Sequence, residues 1–180
     1  MQIKKYITIA VFASLWSCVE LFLGSFLHTF SLNAIPFINP TGFIMLFFAV
    51  CIMTVLEKRY PVFGTLTVAA LLTGIVKLFG YANVKLVPPL AILCEGFIFD
   101  LLLHVFKMNR KKILYILAAV IVGIAGTGLF SLIGYFFMGW FKGKTIYFVA
   151  ALFSVSSVKG GLGALLGCLT GLKISKSLNA

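Results

Sequence analysis

Long apolar runs, each broken by a short polar or proline-bearing stretch, repeat along all 180 residues. A helix rises ~1.5 Å per residue and a hydrocarbon core is ~30 Å thick, so runs of about 20 apolar residues predict membrane-spanning helices. The first span covers Tyr6 to Phe30 and gives way to a loop, Ser31 to Thr41, rich in turn formers: Asn33, Pro36, Asn39 and Pro40. A shorter second span, Gly42 to Leu56, ends at the charged group Glu57, Lys58, Arg59. Pro61 then stands where proline is tolerated in a first helical turn, so a third helix is expected from there to Gly80. Asn83, Lys85, Pro88 and Pro89 form the next connection. A fourth helix follows to about Phe106. The basic cluster Lys107, Arg110, Lys111 and Lys112 precedes a fifth, from Ile113 to about Phe141, and Lys142 and Lys144 close it. The stretch Thr145 to Lys173 is too long for one span, and Ser154, Ser156 and Ser157 within it suggest a loop or interfacial segment before a sixth helix that begins near Val155.

The expected fold is therefore all-α: one domain, residues 1–180, forming an integral membrane bundle of six transmembrane helices. The apolar stretch after Lys4 and Lys5 exceeds the usual length of a secretory signal and has no small-residue cleavage pattern, so it is expected to be retained. Charge sets the orientation. With the N-terminus cytoplasmic, the inner segments hold Lys4, Lys5, Lys58, Arg59, Lys107, Arg110, Lys111, Lys112, Lys173 and Lys176; the outer ones hold Lys85, Lys142 and Lys144. Ten against three is a strong positive-inside bias and puts both termini in the cytoplasm. The net charge of +11 then follows from topology and contact with anionic lipid, without nucleic acid as a partner.

Against 62% hydrophobic residues, the charges within the spans stand out: Glu20, Lys77, Glu95, Asp100 and Lys159. Each costs at least ~2.5–3.5 kcal/mol near the bilayer centre, so such groups face a bundle interior, a cavity or a ligand. Converting position to depth puts Glu20, His28, Lys77, Glu95 and Lys159 in the outer half, where Lys85 and the Asn33-containing loop lie above them. Asp100 and His104, one turn apart on one helix face, are alone in the inner half. Two readings of Glu95 and Lys159 stay open: a structural ion pair, or the principal polar contacts of a ligand, with Lys85, Lys77, His28 and Asn33 as further contacts. Glu20 is expected to be structural or pore-facing. Trp16, Trp140, Tyr81, Tyr135 and Tyr147 are the aromatics that membrane interfaces collect.

Cys18, Cys51, Cys94 and Cys168 lie singly within spans, without the paired spacing of a zinc site, and read as small packing residues; no metal or cofactor is expected. The sequence contains no nucleophile elbow, phosphate-binding loop or zinc-protease motif, so an enzyme is not expected. Gly163, Gly167 and Gly171 repeat every four residues beside Gly160 and Ala164, a pattern that lets a neighbouring backbone approach closely. Ala10, Ser14 and Cys18, beside Ala13 and Ser17, make a small-residue face on the first helix.

The chain resembles the substrate-binding membrane subunit, or S-component, of energy-coupling-factor (ECF) transporters. The resemblance rests on the size, the six spans with both ends inside, the uncharged first outer loop, the small-residue face of the first helix, and Val158-Lys159-Gly160 opening the last helix. It implies a prokaryotic cell-membrane protein that captures a small water-soluble vitamin or precursor from outside. It also implies partners: a membrane scaffold subunit and two cytoplasmic ATPases, with Ala10, Ala13 and Ser14 as the docking face. Ala10 to Ser14 stands where the family carries an Ala-xxx-Ala pattern. Two readings of other classes remain: a free-standing proton-coupled secondary transporter using Glu20, Glu95 or Asp100, and an assembly subunit with no ligand.

Overall fold

The computed structural model describes residues 2–31, 41–80, 86–138 and 146–178. They form six long helices: α1 (Gln2–Ser31), α2 (Thr41–Arg59), α3 (Thr65–Gly80), α4 (Val87–Asp100), α5 (Lys112–Met138) and α6 (Ile146–Leu178). Among the described residues there is no strand. Consecutive helices run in opposite directions, which returns the end of α6 to the side of the bundle where α1 begins. Each helix packs against two main neighbours, in the closed order α1, α3, α4, α5, α6, α2 and back to α1. Ile3–Leu23, Pro88–Val105 and Tyr147–Leu178 are long and apolar enough to cross a membrane, and Thr65–Phe79 and Lys112–Gly128 are shorter apolar helices. On α1 the outward row Ile7, Val11, Leu15 and Phe22 is more than half exposed, as residues that meet lipid tails are. The opposite side packs Ile9, Ala13 and Trp16 into the core.

Several boundaries differ from those the sequence suggests. Pro61 does not open α3: residues 60–62 are not helical, and a turn at Phe63 and Gly64, with Gly64 at φ 89°, delays the helix to Thr65. The signal for that start lies on another helix. Asp100, fully buried on α4, accepts hydrogen bonds at 2.7 Å from both the backbone N–H and the hydroxyl of Thr67. It thus serves as a cap supplied from outside α3 for one of the first-turn donors that lack a helical partner. Pro88 and Pro89, expected in a connection, sit in the first turn of α4, where a missing N–H costs nothing. The helix continues from Asp100 through a wider π-helical turn, Leu101–Val105, and stops at Lys107 in the left-handed conformation. Helix α2 carries Glu57, Lys58 and Arg59 rather than ending before them.

The largest correction concerns α6. It is one continuous helix of 33 residues beginning at Ile146, not a loop followed by a helix near Val155. Serines are tolerated inside it because a hydroxyl can bond back to the carbonyl four residues earlier, as Ser154 does to Ala150 at 2.9 Å. At ~1.5 Å per residue it is about 50 Å long, more than a bilayer core requires.

Glycines fix how closely α6 approaches its neighbours. A Cβ placed on Gly163, Gly167 or Gly171 would fall within contact distance of the backbone carbonyls of Phe43, Phe47 and Cys51, at 2.8 Å for the last. The three residues form a rail on which α2 lies backbone to backbone. Gly123 of α5 and Gly160 of α6 face each other in the same way, each abutting the other's carbonyl. In a membrane, where lipid competes for apolar contact, such close approach supplies the van der Waals and Cα–H contacts that hold helices together.

Candidate functional site

Four helices bring charged groups into the upper half of the bundle, the half that the lysine and arginine distribution puts outside. Glu20 extends from α1 and Lys77 from the last turn of α3, and they form a direct ion pair. Only 7% of the Glu20 side chain and 12% of the Lys77 side chain is exposed, so the pair is desolvated. Lys77 reaches this level because α1 and α3 are fastened one turn lower, where the Thr73 hydroxyl donates to the Ala13 carbonyl at 3.2 Å. Glu20 therefore has a structural partner that the sequence alone did not reveal.

Glu95 enters from α4. It is buried, and its side chain packs against α5 at Gly126, where a Cβ would stand 2.5 Å from Oε1. The glycine is the space the carboxylate occupies. Gly96, the next residue on α4, presses against Leu66 and Ala70 of α3, with a Cβ position 2.8 Å from the Leu66 carbonyl oxygen. That contact holds α4 at a fixed height and so aims Glu95 at α5. The charges acting on Glu95 are Glu20, which repels it, and Lys77, which attracts it. The result is a buried group of two carboxyl side chains and one lysine.

The other expected contacts are arranged differently. Among the described ion pairs, the outer-half member joins Lys77 to Glu20, and none joins Lys159 to Glu95. Lys159 is half-buried on α6, one turn before Gly163 and hence on the row that faces the start of α2. His28 belongs to α1, but its side chain lies outside the described residues, as do Asn33 and Lys85 altogether. Trp16, expected at the membrane interface, is fully buried in the core. Its indole N–H finds no acceptor among the described residues. It stands one turn inward of Glu20 on the same helix face.

The inner-half pair is structural. Asp100 spends one carboxylate oxygen on Thr67 and keeps the other 3.6 Å from His104 Nδ1. Ala10 and Ser14 lie exposed on α1, whereas Ala13 is buried against α3, which removes it from the surface available to a partner. Cys51 and Cys168 are buried packing residues as expected, but Cys18 is exposed on α1. The groove between α3 and α4 lined by Leu71, Ile75, Pro89 and Leu90 is apolar, open to the outside of the bundle and unrelated to the charged group.

No family model matches this chain, and no curated relative does. The crystal structure of an S-component of an ECF transporter superposes on it with a TM-score of 0.71, over 99% of this chain and 85% of that one, at 15% sequence identity. The fold is that of an S-component. The chain is accordingly a multi-pass helical membrane protein, with Glu20, Lys77 and Glu95 in one half of the bundle and Glu57 and Asp100 buried in the other.

Proposed function

We propose that this chain is the substrate-binding membrane subunit of an ECF transporter, taking a small water-soluble vitamin or precursor from outside. The observation that carries the reading is the conjunction of an S-component fold over 99% of the chain with a buried, oppositely charged group in its outer half. Desolvated charges cost several kcal/mol each, and a polar ligand that supplies hydrogen bonds and counter-charge offsets part of that cost. On this reading Glu95 and Lys77 contact the ligand, Glu20 holds Lys77 in place, and Lys159 stands at the rim beside α2. The chain binds and carries without catalysing a reaction. Energy comes from a membrane scaffold protein and two cytoplasmic ATPases, because no phosphate-cradling motif is present in the sequence.

Copurification tests the partner half of the proposal: the tagged chain should bring down a scaffold protein and two ATPases from its native membrane. Ala10→Trp or Ser14→Trp, on the exposed face of α1, should abolish both that association and uptake while ligand binding by the purified chain survives. Substrate accumulation by the chain alone in proteoliposomes, driven by a proton gradient without ATP, overturns the proposal in favour of a secondary transporter.

A further inference from the structure

We propose that the α2–α3 and α4–α5 connections, residues 60–64 and 106–111, together form a seat for the anionic headgroup of an inner-leaflet phospholipid. The first observation is where the acidic side chains are. All four in the chain, Glu20, Glu57, Glu95 and Asp100, are buried. The cytoplasmic end therefore displays its lysines and arginines with no exposed carboxylate side chain beside them. Arg59, Lys107, Lys111 and Lys112 are exposed, and none belongs to a described ion pair. Such cations at a bilayer surface draw anionic headgroups, at about fivefold in affinity per charge. The second observation is that the fold brings the two connections together. The Phe63 ring meets His104, in the π-helical turn that ends α4, edge to face with centroids 6.3 Å apart. Both connections are also fastened to the bundle: the Tyr60 hydroxyl donates to Thr8 Oγ1 at 3.1 Å, and Met108 packs against the core.

Beside these cations stand apolar side chains, Val62, Phe63, Val105 and Phe106, each more than half exposed. In water such a patch marks a protein-binding surface, whereas at a membrane edge it is what acyl chains cover. Helix α3 decides between the two. Its 16 residues reach only ~24 Å, short of a ~30 Å hydrocarbon core, so the chain that flanks it is drawn to the membrane edge. Val62 and Phe63 then lie where acyl chains begin, and the long basic side chains extend to the level of the phosphates. Lys107 is an independent mark of the site. Among the described residues it is the one non-glycine with positive φ, at φ 56° and ψ 30°, a conformation that glycine adopts freely and lysine does not. A strained backbone that presents an exposed cation is accounted for by an anion outside the chain. An acidic protein surface would use the same charges but would gain nothing from the membrane depth of Val62 and Phe63.

Native mass spectrometry of the purified full chain, titrated with dioleoyl phosphatidylglycerol or dioleoyl phosphatidylcholine, resolves bound lipids and gives their affinities. Glycerol phosphate, a phosphate without tails, is the third probe. Phosphatidylglycerol should bind about tenfold or more tightly than phosphatidylcholine, and glycerol phosphate should not displace it. Lys107→Gly removes the charge and relieves the backbone, so it should weaken phosphatidylglycerol about fivefold while the protein melts no lower than the parent. Lys107→Gly/Lys111→Gln/Lys112→Gln should weaken it about a hundredfold. Phe106→Ser should weaken both lipids alike. Lys173→Gln/Lys176→Gln, which removes two exposed charges of the same membrane side from α6, should leave the affinity nearly unchanged. Equal affinity for the two lipids, displacement by glycerol phosphate, or a loss in the α6 variant as large as in the Lys107 variants overturns the site. A triple variant that keeps its lipid affinity but no longer copurifies with other subunits also overturns it, in favour of a protein-docking surface. The binding-subunit reading is independent of all these results.

Discussion

Lys77→Met is the sharpest perturbation of the charged group, because it leaves Glu20 and Glu95 buried together with no described cation between them. The methionine fills much the same volume with an apolar, flexible chain, so packing is nearly conserved and the effect is electrostatic. Both members of the Lys77–Glu20 pair are close to nine-tenths buried or more, so little solvent screening discounts it. Removing one partner of a buried pair costs ~3–5 kcal/mol, since the remaining charge is stranded. For a chain of this size ~1 kcal/mol corresponds to about 2–4 °C, so Lys77→Met should lower the melting temperature by roughly 6–20 °C. Glu20→Gln alone should cost less, because the lysine it strands retains Glu95 as a neighbour. The double variant Glu20→Gln/Lys77→Met should recover most of the loss, with a coupling energy of ~2–3 kcal/mol in the double-mutant cycle. Melting of the four purified proteins in one detergent, followed by tryptophan fluorescence, measures the cycle. Additive losses, or a Lys77→Met protein as stable as the parent, would refute the claim that this pair is a desolvated structural element of the site.

Other outcomes follow from the packing and the topology. Gly167→Ala places a methyl 3.0 Å from the Phe47 carbonyl carbon and closer still to its oxygen, so α2 and α6 must separate; a loss of ~2–4 kcal/mol, well beyond that of Leu166→Ala on the exposed face, is expected in thermal melts. Asp100→Asn keeps one acceptor for Thr67 but loses its charge beside the start of α3, and should cost ~1–2 kcal/mol, with amide exchange increased selectively in the first turn of α3. Single cysteines at positions 39 and 109, in a background lacking Cys18, should react with a membrane-impermeant maleimide on intact cells at 39 and only after lysis at 109. The opposite pattern inverts the whole assignment of outer and inner halves.

Composition and charge asymmetry were enough for the architecture. Apolar runs long enough for a bilayer, separated by turn residues, admit only helices, because in lipid a segment must satisfy its own backbone, and the distribution of lysine and arginine orients the bundle. The glycine row of α6 was also legible, since small residues at four-residue spacing have one common use in membranes. The ends of helices were less so. Pro61 is compatible with a helix start, but the start of α3 is set at Thr65 by Asp100, a residue on another helix and 33 positions away from its bonding partner Thr67. The serines of α6 carry a loop signal, which at Ser154 is cancelled by back-bonding to the helix. The site shows the same division. Sequence placed Glu20, Lys77, Glu95 and Lys159 at one depth, but depth says nothing of azimuth around a helix or of which helices are neighbours. The ring order that sets α1 beside α3 and α4 beside α5 gives Lys77 to Glu20 and leaves Glu95 against Gly126. Ion pairing is decided over a few ångströms, and in a six-helix bundle only tertiary packing fixes distances on that scale.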